Sequence, residues 1–210
     1  DSLGPHDRDF AGAAEIDVVI FDLDGVVRHF DPAFAASIER QHDLSPGSIH
    51  RVAFAEDLLT KLTTGRITRH EWSIAIGAAL ETPEAGASFI TSIGTPDPEM
   101  IDLAAVLRSV GVMTAILTNG TDTIASELET LEIAKHYDVV WNSAEIGVVK
   151  PDPLIYHHVL AELALSPERV FFTDDRAGNV DAARRLGIRG HQFTSVERLR
   201  LALRDYGIAV

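Results

Sequence analysis

Four short apolar runs, at residues 16–21, 112–117, 137–141 and 170–173, stand out along the chain, with a weaker fifth at 190–193. They are rich in Val, Ile, Phe and Trp, as strands buried on both faces should be. Between and after them, residues 100–109, 123–131, 154–163, 180–186 and 196–206 carry apolar positions at helical spacing. Gly187 closes the fourth of these helices. This alternation predicts a parallel sheet with helices on both faces.

Residues 32–93 break the rhythm. They carry little strand signal and read as helices. Phe34, Ile38 and Gln41 share one helical face. Ser45-Pro46 reads as a helix start with proline at the first position. Thr68 with Glu71 forms a capping box ahead of Trp72, and Thr82-Pro83 starts another helix. The expected organisation is an α/β core over residues 15–31 and 94–210, interrupted by a helical insertion over 32–93. Residues 1–14 read as a loose tail. The chain has no internal repeat and no low-complexity stretch.

The formal net charge of −14 over 210 residues argues against nonspecific binding to nucleic acid or an anionic membrane. It leaves a phosphorylated substrate open, because a bound divalent cation can reverse the local sign. With no cysteine, disulfides and thiolate catalysis are excluded. No apolar stretch reaches the roughly 20 residues needed to cross a bilayer. The first fifteen residues lack the apolar segment of a signal peptide, and the missing initial methionine reads as processing or trimming. A cytoplasmic protein, monomeric or homodimeric, is expected.

Candidate chemistry lies at the ends of the apolar runs. The first run ends in Asp22-Leu23-Asp24-Gly25. Two carboxylates this close repel, and need a cation, a shared proton or a solvated mouth. The carboxyl end of a parallel strand is where open α/β sheets bind ligands. A strand end followed by an Asp-Gly turn is the plain alternative. Ile116-Leu117 leads into Thr118-Asn119-Gly120, Val148-Val149 into Lys150-Pro151-Asp152-Pro153, and Val170-Phe171-Phe172-Thr173 into Asp174-Asp175.

These four segments, in this order and spacing, resemble the haloacid dehalogenase superfamily of aspartate-nucleophile hydrolases. Asp-Asp-Arg-Ala-Gly-Asn-Val-Asp-Ala-Ala and Gly-Val-Val-Lys-Pro-Asp-Pro are similar to its small-capped members. The resemblance spans residues 16 to about 193. It implies a Rossmann-like core with a C1-type cap, the position and size of the 32–93 insertion.

The resemblance also implies roles. Asp22 is the nucleophile, since a carboxylate can accept a phosphoryl group. Asp24 is the general acid and base, and its backbone carbonyl is a metal ligand. Gly25 lets the chain turn sharply beside the phosphate. The Thr118 hydroxyl and the Asn119 backbone N–H bind phosphoryl oxygens. Lys150 holds charge against Asp22 and the phosphate, and the Lys150–Pro151 bond is expected to be cis. Mg2+ is expected on Asp22, Asp24 and Asp175, with Asp174 direct or through water. An acid at position 24 favours phosphoryl transfer over carbon–halogen cleavage, because halide leaves without a proton.

In the insertion, Arg66 is the candidate for substrate selection, with a solvated surface arginine as the open alternative. Arg28 and His29 either line the entrance or are exposed loop residues; Trp72 reads as core. The nine histidines show no metal-ligand spacing, and no P-loop, Gly-x-Gly-x-x-Gly or Gly-x-Ser-x-Gly occurs. The resulting expectation is a Mg2+-dependent phosphatase acting on a small phosphorylated metabolite. A sugar phosphomutase is the alternative, followed by a 2-haloacid dehalogenase or a non-catalytic regulatory module.

Overall fold

The computed structural model describes residues 15–210; the tail expected over residues 1–14 lies outside them. The chain enters through β1 (Val18–Phe21) and turns into the two-residue β2 (Arg28–His29). Five helices follow: α1 (Phe34–Gln41), α2 (Ser48–Ala53), α3 (Glu56–Thr63), α4 (Arg69–Ala79) and α5 (Pro83–Phe89). Then come β3 (Thr95–Pro96), α6 (Pro98–Ser109), β4 (Met113–Thr118) and α7 (Ile124–Thr130). The rest is β5 (Val139–Asn142), α8 (Ser143–Ile146), α9 (Pro153–Leu163), β6 (Val170–Asp174), α10 (Ala177–Arg185), β7 (Arg189–Gln192) and α11 (Val196–Asp205).

The main sheet has the order β5-β4-β1-β6-β7, with every pair parallel. Strand β1 is central and its alternation feeds both layers. Val19 and Phe21 pack with Leu103, Leu107, Leu199 and Leu203, while Val18 and Ile20 pack with Ile155, Tyr156, Val159 and Ala183. Both faces are therefore covered, as the continuous apolar runs require. The register pairs Phe21 with both Ile116 and Thr173, so Asp22, Thr118 and Asp174 emerge at the same end of the sheet.

Helices α1–α5 pack around two clusters of their own. Ala35, Ile38, Ile49 and Ala85 form one, and Ala53, Leu62, Trp72 and Ile76 the other. Trp72 is buried and donates its indole N–H to the Ala53 carbonyl, 3.0 Å away. Helices α4 and α5 touch backbone to backbone: a Cβ on Gly86 would lie 2.1 Å from the Ser73 carbonyl oxygen. The Thr68–Glu71 capping box is present.

Three local expectations are corrected. Helix α2 starts at Ser48, not at Pro46. The Glu39 carboxylate accepts from the N–H groups of Gly47 and Ile49, both at 2.9 Å, and so caps α2 from the preceding helix. The β2–β3 ribbon carries no apolar run and was invisible in the pattern. Arg28, expected in an exposed loop or at the entrance, is 2% exposed. Among the described residues, no helix is long and apolar enough to cross a membrane.

Candidate active site

The carboxyl ends of β1, β4 and β6 converge on one group of charges. Asp22 follows β1 directly, and its carboxylate Oδ1 accepts from the Leu23 N–H at 2.8 Å. Lys150 Nζ donates to Asp22 Oδ1, to Asp174 Oδ2 and to the Leu117 carbonyl, each at 2.7 Å. All three ammonium protons are thus used inside the fold. Burial alone would lower the Lys150 pKa, but Asp22 and Asp174 outweigh it and keep the ammonium charged.

One oxygen each from Asp22, Asp174 and Asp175 lie within 4.8 Å of one another. Three carboxylates against one ammonium leave two negative charges uncompensated. The Asp22 carboxyl is raised to about 6 on balance: burial pushes it up, Lys150 pulls it down, and Asp174 adds to the rise. Asp175 is raised as well, by burial and then by the charge of Asp174. A cluster of hard oxygens with surplus negative charge suits a small divalent cation such as Mg2+, which takes few protein ligands and keeps waters.

The surroundings hold these groups in place. The Lys150–Pro151 bond is cis. The Asn119 side chain accepts from the Lys150 N–H at 2.8 Å and donates to the Lys150 carbonyl at 2.9 Å. Only a backbone role was expected of Asn119. Asn179, which no motif above singles out, donates to Asp174 Oδ2 at 2.9 Å, and the Arg176 N–H donates to Asp174 Oδ1 at 2.8 Å. The Asn179 carbonyl accepts from the Tyr156 hydroxyl at 2.8 Å. Asn179 precedes Val180 on the buried side of its helix, a polar residue at an apolar position that could have signalled a site. Gly25 has φ of +89°, and a Cβ there would lie 2.6 Å from Asp175 Oδ2. Its lack of a side chain therefore makes room for a carboxylate as well as allowing the turn.

The Asp24 side chain does not join the Asp22, Asp174 and Asp175 carboxylates. The turn after β1 folds back so that the Gly25 N–H donates to the Arg28 carbonyl, at 2.8 Å. Arg28 then grips Asp24 side-on, Nε to Oδ1 at 2.6 Å and Nη2 to Oδ2 at 3.1 Å. Arg28 Nη1 donates to Glu127 Oε2 at 2.6 Å, and Arg69 Nη1 donates to Glu127 Oε1. Glu127 was also missed. It falls with Ile124, Leu128 and Leu131 on the apolar face of its helix, which is the signal that could have found it.

Thr118 is buried at the end of β4 beside Leu117, whose carbonyl receives Lys150. Arg66 is exposed. Its neighbour Gly65 rests on the core, where a Cβ would lie 2.2 Å from the Ala144 carbonyl oxygen, and Ser143 Oγ donates to the Thr63 carbonyl at 2.6 Å. The turn that carries Arg66 is thus docked beyond the end of β5. His29 is exposed and pairs through Nε2 with Asp97 at 2.9 Å. A cavity of about 320 Å³ lies between Arg69, Ile93 and Thr123, and shares no residue with the carboxylate cluster.

Known proteins are similar to this chain in sequence and in fold. The chain is 31% identical over 204 residues to bifunctional epoxide hydrolase 2 of Rattus norvegicus, covering 81% of this chain and 35% of that protein. It therefore spans about a third of the length of that relative. It is 28% identical over 180 residues to a sesquiterpene phosphatase of Aspergillus oryzae, covering 83% of this chain and 88% of that one. A HAD family enzyme of Bacteroides thetaiotaomicron, in complex with magnesium and inorganic phosphate, superposes with a TM-score of 0.72 at 20% identity, covering 88% of this chain and 98% of that one. The family model for haloacid dehalogenase-like hydrolases matches residues 16–187, most of the chain, and the protein belongs to that family of hydrolases.

Proposed function

We propose that the chain is a Mg2+-dependent phosphomonoesterase that works through an aspartyl-phosphate on Asp22. One observation carries this reading: two carboxylates on one turn have opposite surroundings. Asp22 is buried against Lys150 and faces Asp174 and Asp175, whereas Asp24, two residues on, keeps its side chain 44% exposed at the mouth. Different environments are how one site runs nucleophilic and acid–base chemistry together.

In this reading an Asp22 oxygen attacks phosphorus as the bond to the leaving-group oxygen breaks. Asp24 gives that oxygen a proton. Water then attacks the phosphorus of the aspartyl-phosphate, Asp24 takes a proton from it, and inorganic phosphate leaves. Thr118 Oγ–H and the Asn119 N–H bind the phosphoryl oxygens. Lys150 neutralises part of the charge that Asp22 and the phosphoryl group bring together. Asp22, Asp174, Asp175 and the Asp24 carbonyl would hold Mg2+, which would supply further charge compensation between the anionic nucleophile and the anionic substrate.

Helices α1–α5 act as a cap in this reading. Arg66 and His29 are the candidates for the part of the substrate beyond the phosphate. The phosphatase activity in the name of the Aspergillus oryzae relative, and the magnesium and phosphate bound by the Bacteroides thetaiotaomicron enzyme, support the same reaction class. The substrate is a small phosphorylated metabolite.

The test is phosphate release across a panel of phosphomonoesters, with and without Mg2+. Mg2+-dependent release from at least one metabolite is expected. No release from any member, including an activated aryl phosphate, would overturn the reading. Isomerisation of a sugar phosphate without net release would reassign the same residues to a phosphomutase.

A further inference from the structure

Asp24 and the helical insertion are joined by a chain of alternating charge that is buried at Arg28 and Glu127. Arg28 holds both Asp24 oxygens, at 2.6 and 3.1 Å. The same guanidinium donates to Glu127 at 2.6 Å, and Glu127 accepts from Arg69, in the first turn of α4. Thr123 Oγ1 donates to Glu127 Oε1 at 2.5 Å. Arg69 also reaches the Ser92 carbonyl at 2.7 Å, and its backbone N–H meets Asp122 Oδ1 at 2.6 Å. The run Asp24–Arg28–Glu127–Arg69 sums to zero charge, so each buried ion has an opposite neighbour. The Glu127 carboxyl, which burial alone would raise, is held below its usual range by Thr123, Arg28 and Arg69.

Arg28 is also clasped by both strands of chain that connect the helices to the sheet. Its guanidinium lies 4.9 Å over the Phe30 ring, in the outgoing connection. Its Nη1 donates to the Ile93 carbonyl at 3.2 Å, and a Cβ on Gly94 would lie 2.9 Å from its Cγ, in the returning one. The side chain that orients Asp24 therefore cannot move independently of the two connections about which helices α1–α5 would pivot.

We propose that Arg28 is a positioning residue for Asp24, and that through Glu127 and Arg69 it makes the aim of the acid–base carboxylate depend on the seat of the helical cap. The inference rests on the phosphatase reading, in which Asp24 serves the leaving group. A bidentate guanidinium fixes both the plane and the distance of a carboxylate, which a lysine cannot do. Asp24 then presents its outer lone pairs to the mouth at one angle. Arg69 touches neither Asp24 nor the carboxylate cluster, so its influence must travel through Glu127 and Arg28.

Leaving-group dependence separates this role from a structural one. An alkyl phosphate needs a proton on its departing alkoxide, whereas p-nitrophenyl phosphate does not, and kcat/KM reports the steps up to that departure. Wild type with Mg2+ should release phosphate from both. Asp24→Asn should lose on the order of 10²-fold or more in kcat/KM on butyl phosphate and much less on p-nitrophenyl phosphate. Arg28→Lys and Arg28→Gln should reproduce that asymmetry by about tenfold. Arg69→Gln should show the same asymmetry more weakly, with Asp24 and Arg28 intact.

Equal losses on the two substrates in folded Arg28 variants, or no loss, would overturn the inference while Asp24→Asn still shows the asymmetry. If the Arg28 variants do not fold, Arg69→Gln decides by the same comparison. A wild type inactive on both substrates and on every member of the phosphomonoester panel would overturn the phosphatase reading, and this inference with it.

Discussion

The side-chain amide of Asn119 pairs with both backbone groups of Lys150, accepting from its N–H at 2.8 Å and donating to its carbonyl at 2.9 Å. One residue at the end of β4 thereby sets the height and direction of the loop that delivers the buried ammonium to Asp22 and Asp174. Asn119→Ala removes both contacts. It should cost about 1–3 kcal/mol of stability, because two half-buried backbone groups lose their partners. A shift of Lys150 by a fraction of its hydrogen-bond length should also lower turnover, on the order of 10²-fold. Denaturant unfolding and phosphate-release kinetics on the same variant check both.

Asp22→Asn should keep the fold and remove turnover. The amide retains the shape of the side chain but cannot form an acyl phosphate. Lys150 keeps Asp174, at 2.7 Å, as its remaining ionic partner. Circular dichroism with a phosphate-release assay tests this, and normal turnover by a well-folded variant would refute the nucleophile assignment.

Chelation should abolish activity, and Mg2+ should restore it. Ca2+ should substitute poorly, because its larger and looser coordination misaligns an in-line transfer. Mg2+ should also raise the melting temperature, since it relieves the repulsion among Asp22, Asp174 and Asp175 only in the folded state. The thermal shift is measurable without any substrate.

Gly25→Ala places a methyl group 2.6 Å from Asp175 Oδ2 and forces a side chain onto a backbone with φ of +89°. The backbone term alone should cost at least about 1 kcal/mol. Displacement of Asp175 should in addition weaken Mg2+ binding. A Mg2+ titration of the melting temperature separates the two, because only the second moves the midpoint of the titration.

Glu127→Gln leaves the buried Arg28 and the half-buried Arg69 without their shared counter-charge. The expected cost is on the order of 3 kcal/mol at pH 7. Its pH dependence has a definite sign. The folded-state pKa lies below the ordinary 4.5, so the native carboxylate contributes stability above that pH and loses it as the pH falls further. The gap between wild type and variant should therefore narrow below about pH 4.5. Urea midpoints measured at pH 7 and near pH 3 give the comparison.

What the sequence determined by itself is local. Apolar runs marked β1, β4 and β6 to within two residues, and the polar residues that end them, Asp22, Thr118 and Asp174, are at the sheet mouth because strand direction puts them there. The Thr68–Glu71 box and the proline-started α5 were legible because each depends on contacts within one turn. Tertiary structure decided the partners. Arg28 meets Glu127 across 99 positions, and Lys150 meets Asp22 across 128. Periodicity assigns a residue to a face but does not say which side chain of another element will lie opposite. Arg28 looked like a loop arginine for that reason, and Asn119 looked like a backbone donor. Helix α2 starts two residues late because its capping carboxylate, Glu39, belongs to the preceding helix and reaches it only once α1 and α2 have packed.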